Sequence, residues 1–280
     1  MSSIEADGER VGADAASPQA VAQAFTSARR AGRALPGFPG PVPSDLASAY
    51  RIQEAAIALW PQPVIGWKLG RIAPELAGRL GAGRLAGPAF AGAFWTAGGE
   101  APVETPVIPG GFAAVEAEYV LRIGRDADPG RTRWSLEDAA EMVDAAFVGV
   151  EIAGSPLATI NALGPTVVVS DFGNHAGLVL GPRIEDWADR GLDSLTCRTV
   201  IDGEVVGQGG AADIPDGPLD SVRFLLEHLV SRGRPLRRGD LVSTGAATGI
   251  HEVGPGARAR VDFGRDGAVE VATVAARPQT

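Results

Sequence analysis

The 280-residue sequence has one cysteine, Cys197, and three histidines. A single cysteine excludes an internal disulfide and a cysteine-based metal site, and we interpret Cys197 as a small buried hydrophobe. A G-x-S-x-G motif is missing and no Cys–His pair is suggested, which disfavours serine or cysteine nucleophilic catalysis. The glycine-rich segments lack the Lys-Ser/Thr pair of phosphate loops, so nucleotide binding is disfavoured as well.

Basic residues are also scarce, with 25 Lys and Arg against 34 Asp and Glu and a net charge of -9. A chain without a basic patch is not expected to bind nucleic acid or an anionic membrane. No apolar run approaches the roughly 18 to 20 residues needed to cross a bilayer. Residues 1–16 are polar and lack the apolar core of a secretory signal, so they predict a flexible acidic tail. We therefore expect a cytoplasmic protein.

The order of helix and strand signals predicts an α+β fold. Ser17-Pro18 begins a helix that ends at Gly32, and Ser44-Asp45 begins a second that ends before Pro61. We divide the rest of the chain into an N-terminal helical region with a short strand, residues 17–97, and a β-rich catalytic region, residues 98–280. The second half lacks regular strand–helix alternation, which favours a mixed, coiled sheet over a Rossmann fold.

Local patterns set the expected elements within these regions. Residues 98–111 are predicted to form a loop. The remaining elements are predicted as helices over 74–80, 135–146 and 219–231, and as strands over 64–70, 166–169, 176–180, 196–201, 240–243, 258–263 and 269–274.

The most informative segment is Val-Glu-Ala-Glu-Tyr-Val, residues 115–120. Alternate side chains of a strand share a face, so Glu116 and Glu118 stand side by side. Glu151 lies in the apolar run 147–153, where an ionised carboxylate needs a partner. Three converging carboxylates suggest a hard divalent cation such as Mg²⁺. The alternative is that the first two lie on a solvated strand face and Glu151 at a strand end.

Other candidates are a lysine and a hydroxyl-rich loop. Lys68 lies in the apolar strand 64–70, where an ammonium needs an anion or a catalytic role, unless its amine reaches solvent. Ser243 and Thr244 open a loop of small residues suited to binding a carboxylate, or a plain turn. His175 and His251 have no metal-ligand spacing, and we interpret both as structural.

Five segments resemble, in order and spacing, the 2-keto-4-pentenoate hydratase branch of the fumarylacetoacetate hydrolase superfamily. They are Ala-Tyr-Arg-Ile-Gln at 49–53, Gly-Trp-Lys-Leu-Gly at 66–70, Val-Glu-Ala-Glu at 115–118, Val-Glu-Ile at 150–152 and Gly-Asp-Leu-Val-Ser-Thr-Gly at 239–245, with Pro-Gly following at 255–256. The resemblance implies a mixed β-roll fold and homo-oligomers. It also implies Mg²⁺ or Mn²⁺ held by Glu116, Glu118 and Glu151, and an active-site lysine at Lys68.

The sequence departs from the family pattern in two places. Many members carry a segment like Glu-Pro-Asp-Phe-Gly after the lysine, whereas residues 84–90 read Arg-Leu-Ala-Gly-Pro-Ala-Phe, so an acidic catalytic partner is missing. The typical Ala-Asp-Asn stretch becomes Ser-Asp-Phe-Gly-Asn over 170–174, where Asp171 matches and the amide is displaced. We assign Asp171 as a catalytic residue in addition to Lys68. These departures leave the metal site intact and concern the substrate and the reaction.

The implied activity is metal-assisted hydration of a 2-oxo or 2-hydroxy-alkadienoic acid in the degradation of aromatic compounds. Lys68 would orient the substrate carboxylate or move a proton, and Ser243 and Thr244 would bind the acid end. The nearest alternative is a decarboxylase of a 2-oxo-enedioate, similar to 4-oxalocrotonate decarboxylase. Another is an inactive metal-binding homologue that assembles with a hydratase or decarboxylase paralogue. A C–C hydrolase is disfavoured, because that branch uses an N-terminal His-Glu pair and no histidine precedes His175.

Overall fold

The structure of the protein is a computed structural model that describes residues 17–99 and 101–278. The tail predicted over residues 1–16 lies outside this range. Helix α1 spans Pro18–Ala31; the Ser17 side chain accepts a hydrogen bond from the Ala20 N–H (3.2 Å), and Gly32 ends the helix in the left-handed conformation. Helix α2 spans Leu46–Leu59 and is capped by Asp45. These caps explain why both helices begin where the sequence predicts.

Six helices and thirteen strands are formed by the described residues. The other helices are α3 (Pro74–Leu80), α4 (Leu136–Met142), α5 (Pro165–Ser170) and α6 (Pro218–Ser231). The strands are β1 (Val64–Arg71), β2 (Arg84–Phe90), β3 (Phe94–Thr96), β4 (Val103–Val107), β5 (Phe112–Ile123), β6 (Val143–Ser155), β7 (His175–Arg183), β8 (Thr196–Ile201), β9 (Glu204–Gly210), β10 (Leu241–Ser243), β11 (His251–Glu252), β12 (Arg258–Asp262) and β13 (Ala268–Ala275).

The strands form two mixed sheets. The larger has the order β2-β1-β10-β5-β6-β7-β3, with β11 also paired to β5, and the smaller has the order β4-β13-β12-β8-β9. β1 runs parallel to β10, which brings Lys68 level with Ser243. β5 and β6 are antiparallel, with Glu116 opposite Glu151. The strands that carry the candidate site residues, β1, β10, β5 and β6, are therefore neighbours in the larger sheet.

The core lies between the sheets and the helices that cover them. α6 buries one apolar stripe, formed by Val222, Leu225, Leu226 and Leu229. Burial of each such side chain contributes roughly 1.5–3 kcal/mol relative to leaving it exposed. Among the described residues, no helix combines the length and the apolar character that a membrane span requires. The fold is α+β, as predicted.

Two predicted elements are wrong. Residues 166–169 belong to α5 and not to a strand. Their β-branched side chains favour extended backbone, but Pro165 starts a helical turn that buries Val167 and Val169. Residues 98–111, predicted as a loop, contain β4, which pairs with β13 at the edge of the smaller sheet. An edge position tolerates the proline of β4, Pro106, and this proline is a poor strand signal in sequence.

The pairing of strands overrides local signals in two further segments. The helix predicted over 135–146 stops at Met142, because Val143 begins the long β6 strand against β5. Residues 84–90, for which no element was predicted, form β2 and pair with β1. The division at residues 97 and 98 stays a prediction; strands on both sides of it join the larger sheet.

Candidate metal and substrate site

Three glutamates, named here the glutamate triad, meet on one face of the larger sheet. Glu116 and Glu118 come from β5 and Glu151 from β6. One oxygen atom from each carboxylate lies within 4.8 Å of the other two. Their exposures are 3%, 0% and 0%, so none lies on a solvated strand face. The register of β5 against β6 produces this convergence, because Glu116 is directly opposite Glu151.

Lys68 on β1 lies against the glutamate triad. Its Nζ is 3.3 Å from Glu151 Oε1, and the residue is only 4% exposed, so the amine does not reach solvent. Burial alone would lower the pKa of Lys68, but the three carboxylates outweigh it and raise the pKa above its usual value. Lys68 is also the only lysine in the sequence, a signal of special chemistry that could have been used.

His175 is a site residue that sequence reasoning missed. Its Nδ1 lies 3.0 Å from Glu151 Oε1, and its Nε2 is buried without a hydrogen-bond partner in the described part of the chain. His175 begins β7, which pairs with β6, so the contact follows from the sheet order. Only a correct alignment of β7 with β6 could have revealed it from sequence.

The glutamate triad carries more negative charge than its protein partners neutralise. For the protein chain alone, burial raises the pKa of Glu116 to about 7. Burial, with the charges of the other two glutamates, raises the pKa of Glu118 well above its usual value. Burial would also raise the pKa of Glu151, but Lys68 and His175 lower it below its usual value. One ammonium thus faces three carboxylates, a costly arrangement for buried charges.

The donor set fits a hard divalent cation. Glu118 Oε2 accepts a hydrogen bond from the Gly245 N–H (2.7 Å). Glu118 Oε1 and Glu151 Oε2 are buried and have no hydrogen-bond partner among the described residues. Carboxylate oxygens without partners suit Mg²⁺, Mn²⁺ or Ca²⁺, which prefer oxygen ligands. The glutamate triad is therefore a candidate metal centre.

A cavity of about 560 Å³ opens beside the glutamate triad. Lys68 and Glu116 line one part of it, and the Asn161 and Asn174 amides line another. The backbone of Phe172 packs against Gly87, where any Cβ would collide with it, so this glycine allows the turn at 172–174 to approach β2. The close approach sets Asn174 on the cavity wall. A site of this size accommodates a small organic acid.

The two predicted substrate-binding residues differ in position. Thr244 lines the cavity, but its hydroxyl donates a hydrogen bond to the Tyr119 carbonyl (2.7 Å). Ser243 is fully buried, and its Oγ has no hydrogen-bond partner among the described residues. It is level with Lys68 but is not on the cavity wall. A substrate-binding role for Ser243 and Thr244 stays a prediction.

Asp171 is not brought to the cavity wall. Its carboxylate accepts hydrogen bonds from Arg29 Nε (2.6 Å) and Nη2 (2.9 Å) and from the Ser155 hydroxyl (2.6 Å). These three residues are named here the Asp171 cluster. Arg29 Nη1 and Nη2 also donate to the carbonyls of His175 (3.0 Å) and Gly154 (2.7 Å). No sequence signal links Arg29 to residues so far along the chain, and a catalytic role for Asp171 stays a prediction.

Sequence comparisons find hydratase-named relatives. The chain is 29% identical over 206 residues to the 2-keto-4-pentenoate hydratase of Burkholderia vietnamiensis, covering 72% of this chain and 76% of the relative. It is 28% identical over 209 residues to 2-keto-4-pentenoate hydratase 2 of Dechloromonas aromatica, with 72% and 76% coverage.

Solved structures share the fold. The 4-oxalocrotonate decarboxylase of Pseudomonas putida G7, complexed with magnesium and adipate, has a TM-score of 0.76 at 22% identity, covering 92% of this chain and 97% of that one. Fumarylpyruvate hydrolase from Pseudomonas aeruginosa, in complex with Mn²⁺ and pyruvate, has a TM-score of 0.53 at 22% identity, with 77% and 91% coverage. Residues 90–275 match the model of the fumarylacetoacetate (FAA) hydrolase C-terminal family. The chain therefore belongs to the fumarylacetoacetate hydrolase family.

Proposed function

We propose that the protein is a divalent-metal-dependent hydratase that adds water to a 2-hydroxy-2,4-dienoic acid and yields a 4-hydroxy-2-oxo acid. The observation that carries this proposal is the buried glutamate triad beside Lys68 at the wall of a cavity. The hydratase-named relatives support the reaction class.

The glutamate triad would hold Mg²⁺ or Mn²⁺ through the carboxylate oxygens that have no partner among residues 17–99 and 101–278. Such a cation supplies positive charge for the C1 carboxylate and the C2 oxygen of the substrate. The Gly245 N–H fixes one oxygen of Glu118, and His175 fixes one oxygen of Glu151. These contacts leave the other two oxygens oriented for ligation, as partners behind metal ligands commonly do.

Lys68 would transfer the proton. Ketonisation moves the enol proton from oxygen to carbon, and water then adds across the conjugated double bond, so the product is the substrate plus one water. An ammonium can give up a proton and take it back, whereas a guanidinium stays protonated. Of the 25 Lys and Arg residues in the sequence, only Lys68 is a lysine, and it contacts the glutamate triad. This placement supports proton transfer, or orientation of the substrate carboxylate, as its role.

The acid end of the substrate would lie near the loop that begins at Ser243 and Thr244. The Thr244 hydroxyl already donates to a carbonyl, so it offers the substrate an acceptor and not a donor. The Ser243 hydroxyl has no hydrogen-bond partner in the described part of the chain and is level with Lys68, so it would act by orienting the ammonium. Asp171 would act as a positioning residue, because its carboxylate is engaged by Arg29 and Ser155.

Decarboxylation of a 2-oxo-enedioate is a second candidate. β2 carries no acidic side chain, so this strand itself offers no carboxylate to activate water. Loss of CO₂ needs stabilisation of an enolate but no added water. The proton-handling role of Lys68 is the same in both reactions, and the products separate them.

The deciding experiment incubates the protein and Mg²⁺ with a panel of 2-hydroxy-dienoates and 2-oxo-enedioates, while dienol absorbance and CO₂ release are followed. Loss of dienol without CO₂, with water incorporated into the product, supports the hydratase. Stoichiometric CO₂ identifies the decarboxylase. If calorimetry detects bound Mg²⁺ and no substrate is consumed, the chain is an inactive metal-binding homologue and the proposal fails.

The bound cation and the oligomeric state are also proposed. Calorimetry with Mg²⁺, Mn²⁺ and Ca²⁺ would rank the cations. We also propose a homo-oligomer, alone or with a hydratase or decarboxylase paralogue, and light scattering on the eluted protein would give its mass. The expected cytoplasmic location and the absence of a nucleic-acid partner stay predictions.

A further inference from the structure

Three successive residues beside the cavity, named here the 172–174 turn, have left-handed backbone. The φ angles of Phe172, Gly173 and Asn174 are 54°, 65° and 66°. Residues other than glycine adopt this conformation at a cost in free energy, and normally one at a time. Backbone strain of this kind persists only where the surrounding structure enforces it, and it clusters at functional sites. A side chain with a functional role is therefore expected on the 172–174 turn.

Aromatic packing and a glycine hold the 172–174 turn in place. The Phe172 ring packs edge-on against Phe90 and Trp60, with centroid distances of 4.9 and 5.4 Å. The backbone of the turn packs on Gly87, which is the cross-strand partner of Lys68. The turn is thus fixed against the strand next to the one that carries Lys68, and it places Asn174 on the cavity wall.

The Asn174 amide is bonded to the protein at one end only. Asn161 and Asn174 are the only asparagines in the sequence, and both line the cavity. Asn174 Nδ2 donates a hydrogen bond to Asn161 Oδ1 (3.3 Å). Asn174 is 3% exposed, and its Oδ1 is buried without a hydrogen-bond partner in the part of the chain that the structure describes. A buried amide oxygen of this kind is uncommon and indicates a donor from outside the protein chain.

The chemistry of the substrate selects water as the donor for Asn174 Oδ1. After ketonisation, the carboxylate and the 2-oxo group of the substrate offer only hydrogen-bond acceptors. An amide oxygen cannot bind either of them, but it accepts a hydrogen bond from water. β2, on which the turn packs, has no acidic side chain that could hold the water instead.

We propose that Asn174 binds the water that adds to the substrate, with Oδ1 accepting a hydrogen bond and directing the water oxygen at the double bond. The proposal rests on the hydratase function proposed above. The water oxygen bonds to C4 of the 2-oxo-3-enoate, the π electron pair of the C3–C4 double bond takes a proton at C3, and the water loses one proton. The product is therefore the substrate plus one water. A neutral amide does not take up the proton, so Asn174 orients the water and leaves proton transfer to Lys68.

The test separates ketonisation from hydration in Asn174→Gly. Glycine adopts left-handed backbone freely, so this variant removes the amide and keeps the turn. With 2-hydroxypenta-2,4-dienoate and Mg²⁺, loss of dienol absorbance reports ketonisation, and the 4-hydroxy-2-oxo acid measured by proton NMR reports hydration. Asp202→Gly is the matched control, because Asp202 is also left-handed (φ 50°), is exposed and does not line the cavity. Thermal melting and calorimetry with Mg²⁺ check the fold and the metal site of each variant.

Asn174→Gly is expected to lower the rate of hydration about tenfold, the effect of one lost hydrogen bond, while ketonisation and Mg²⁺ affinity keep their wild-type values. The 2-oxo-3-enoate should then accumulate in this variant. Asp202→Gly is expected to match the wild type in every measurement. Hydration at the wild-type rate in Asn174→Gly, or an equal loss of ketonisation and hydration, would overturn the proposal.

Asn161→Ala is the second variant, and it decides the question if Asn174→Gly does not fold. Asn161 is exposed, so its replacement is expected to keep the fold. Without its partner the Asn174 amide is less well oriented, and hydration should fall about threefold with ketonisation retained. Unchanged hydration in Asn161→Ala beside an unfolded Asn174→Gly would overturn the proposal. A wild-type protein that forms no hydrated product refutes the proposed function as well, whereas hydration by the wild type and by Asn174→Gly at one rate refutes the water-binding role alone.

Discussion

Two buried acidic regions lie close together at one end of β6, and they are built differently. In the Asp171 cluster, both carboxylate oxygens accept hydrogen bonds, from Arg29 and Ser155. In the glutamate triad, one oxygen of Glu118 and one of Glu151 have no partner among the described residues. A satisfied buried carboxylate indicates a structural role, and an unsatisfied one indicates a ligand site. The difference predicts a positioning role for the Asp171 cluster and a ligand role for the glutamate triad.

The Asp171 cluster also supports the glutamate triad. Arg29 donates hydrogen bonds to the Gly154 carbonyl on β6 and to the His175 carbonyl on β7. His175 in turn contacts Glu151 through its ring. Arg29 therefore ties together the two strands that supply Glu151 and its histidine partner.

Replacement of Lys68 should have the largest effect. Lys68→Met keeps a long side chain without the charge and is expected to lower kcat by about 10²- to 10⁴-fold, the range for a lost proton carrier. Turnover of the preferred dienoate at saturating Mg²⁺ is the measurement. Lys68→Arg is the control, because it keeps the charge but does not release a proton. Full activity in Lys68→Met would remove Lys68 from the mechanism, and full activity in Lys68→Arg would reduce its role to charge.

Replacement of Arg29 should lower the free energy of unfolding. Arg29→Met leaves Asp171 buried without its cation, which is expected to lower the free energy of unfolding by about 3–5 kcal/mol. Urea denaturation followed by circular dichroism gives the value. The double variant Arg29→Met/Asp171→Asn removes both charges and should recover part of the loss. An Arg29→Met protein as stable as wild type would contradict the structural role of the Asp171 cluster.

Replacement of Glu118 should weaken metal binding without lowering the stability of the metal-free protein. Glu118→Gln is expected to weaken Mg²⁺ binding by about 100-fold, measured by calorimetry, because a ligand oxygen is lost. The metal-free variant should melt at the wild-type temperature or above, since one buried charge is removed. Wild-type Mg²⁺ affinity in this variant would refute the assignment of the glutamate triad as metal ligands.

The smallest expected effect concerns His175. Its ring contacts the carboxylate of Glu151, a proposed metal ligand, so His175→Gln should weaken Mg²⁺ binding by about tenfold. His251→Gln is the matched control, because His251 contacts the Thr248 hydroxyl and none of the glutamates. Equal affinities in the two variants would show that the histidine does not orient Glu151.

The sequence predicts the local features of this molecule better than the long-range ones. The caps at Ser17 and Asp45 and the alternation at Glu116 and Glu118 depend on neighbours a few residues away, and the structure has them as expected. α5 was predicted as a strand because its residues are β-branched. The helix signal, Pro165, was outweighed, since the helical turn it starts is stabilised by burial of Val167 and Val169, which the sequence does not show. β2 and β4 gain their conformation from β1 and β13, which are distant in sequence.

The same limit applies to the site. The glutamate triad could be proposed from the two-residue spacing of Glu116 and Glu118 and from the charge of Glu151 in an apolar run, both visible in the sequence. The contacts of His175 with Glu151 and of Arg29 with Asp171 could not, because they depend on the order of strands in the sheet and on where α1 packs.

Because Lys68 is the only lysine in the sequence, lysine labelled with ¹³C at its ε-carbon and supplied during expression marks a single side chain of the protein. One ε-methylene signal would appear in a carbon–proton spectrum, and the amine attached to that carbon lies 3.3 Å from Glu151. That signal would report the arrival of a cation or an oxo acid directly, without any mutation. Few buried sites offer a spectroscopic probe whose assignment follows from amino-acid composition.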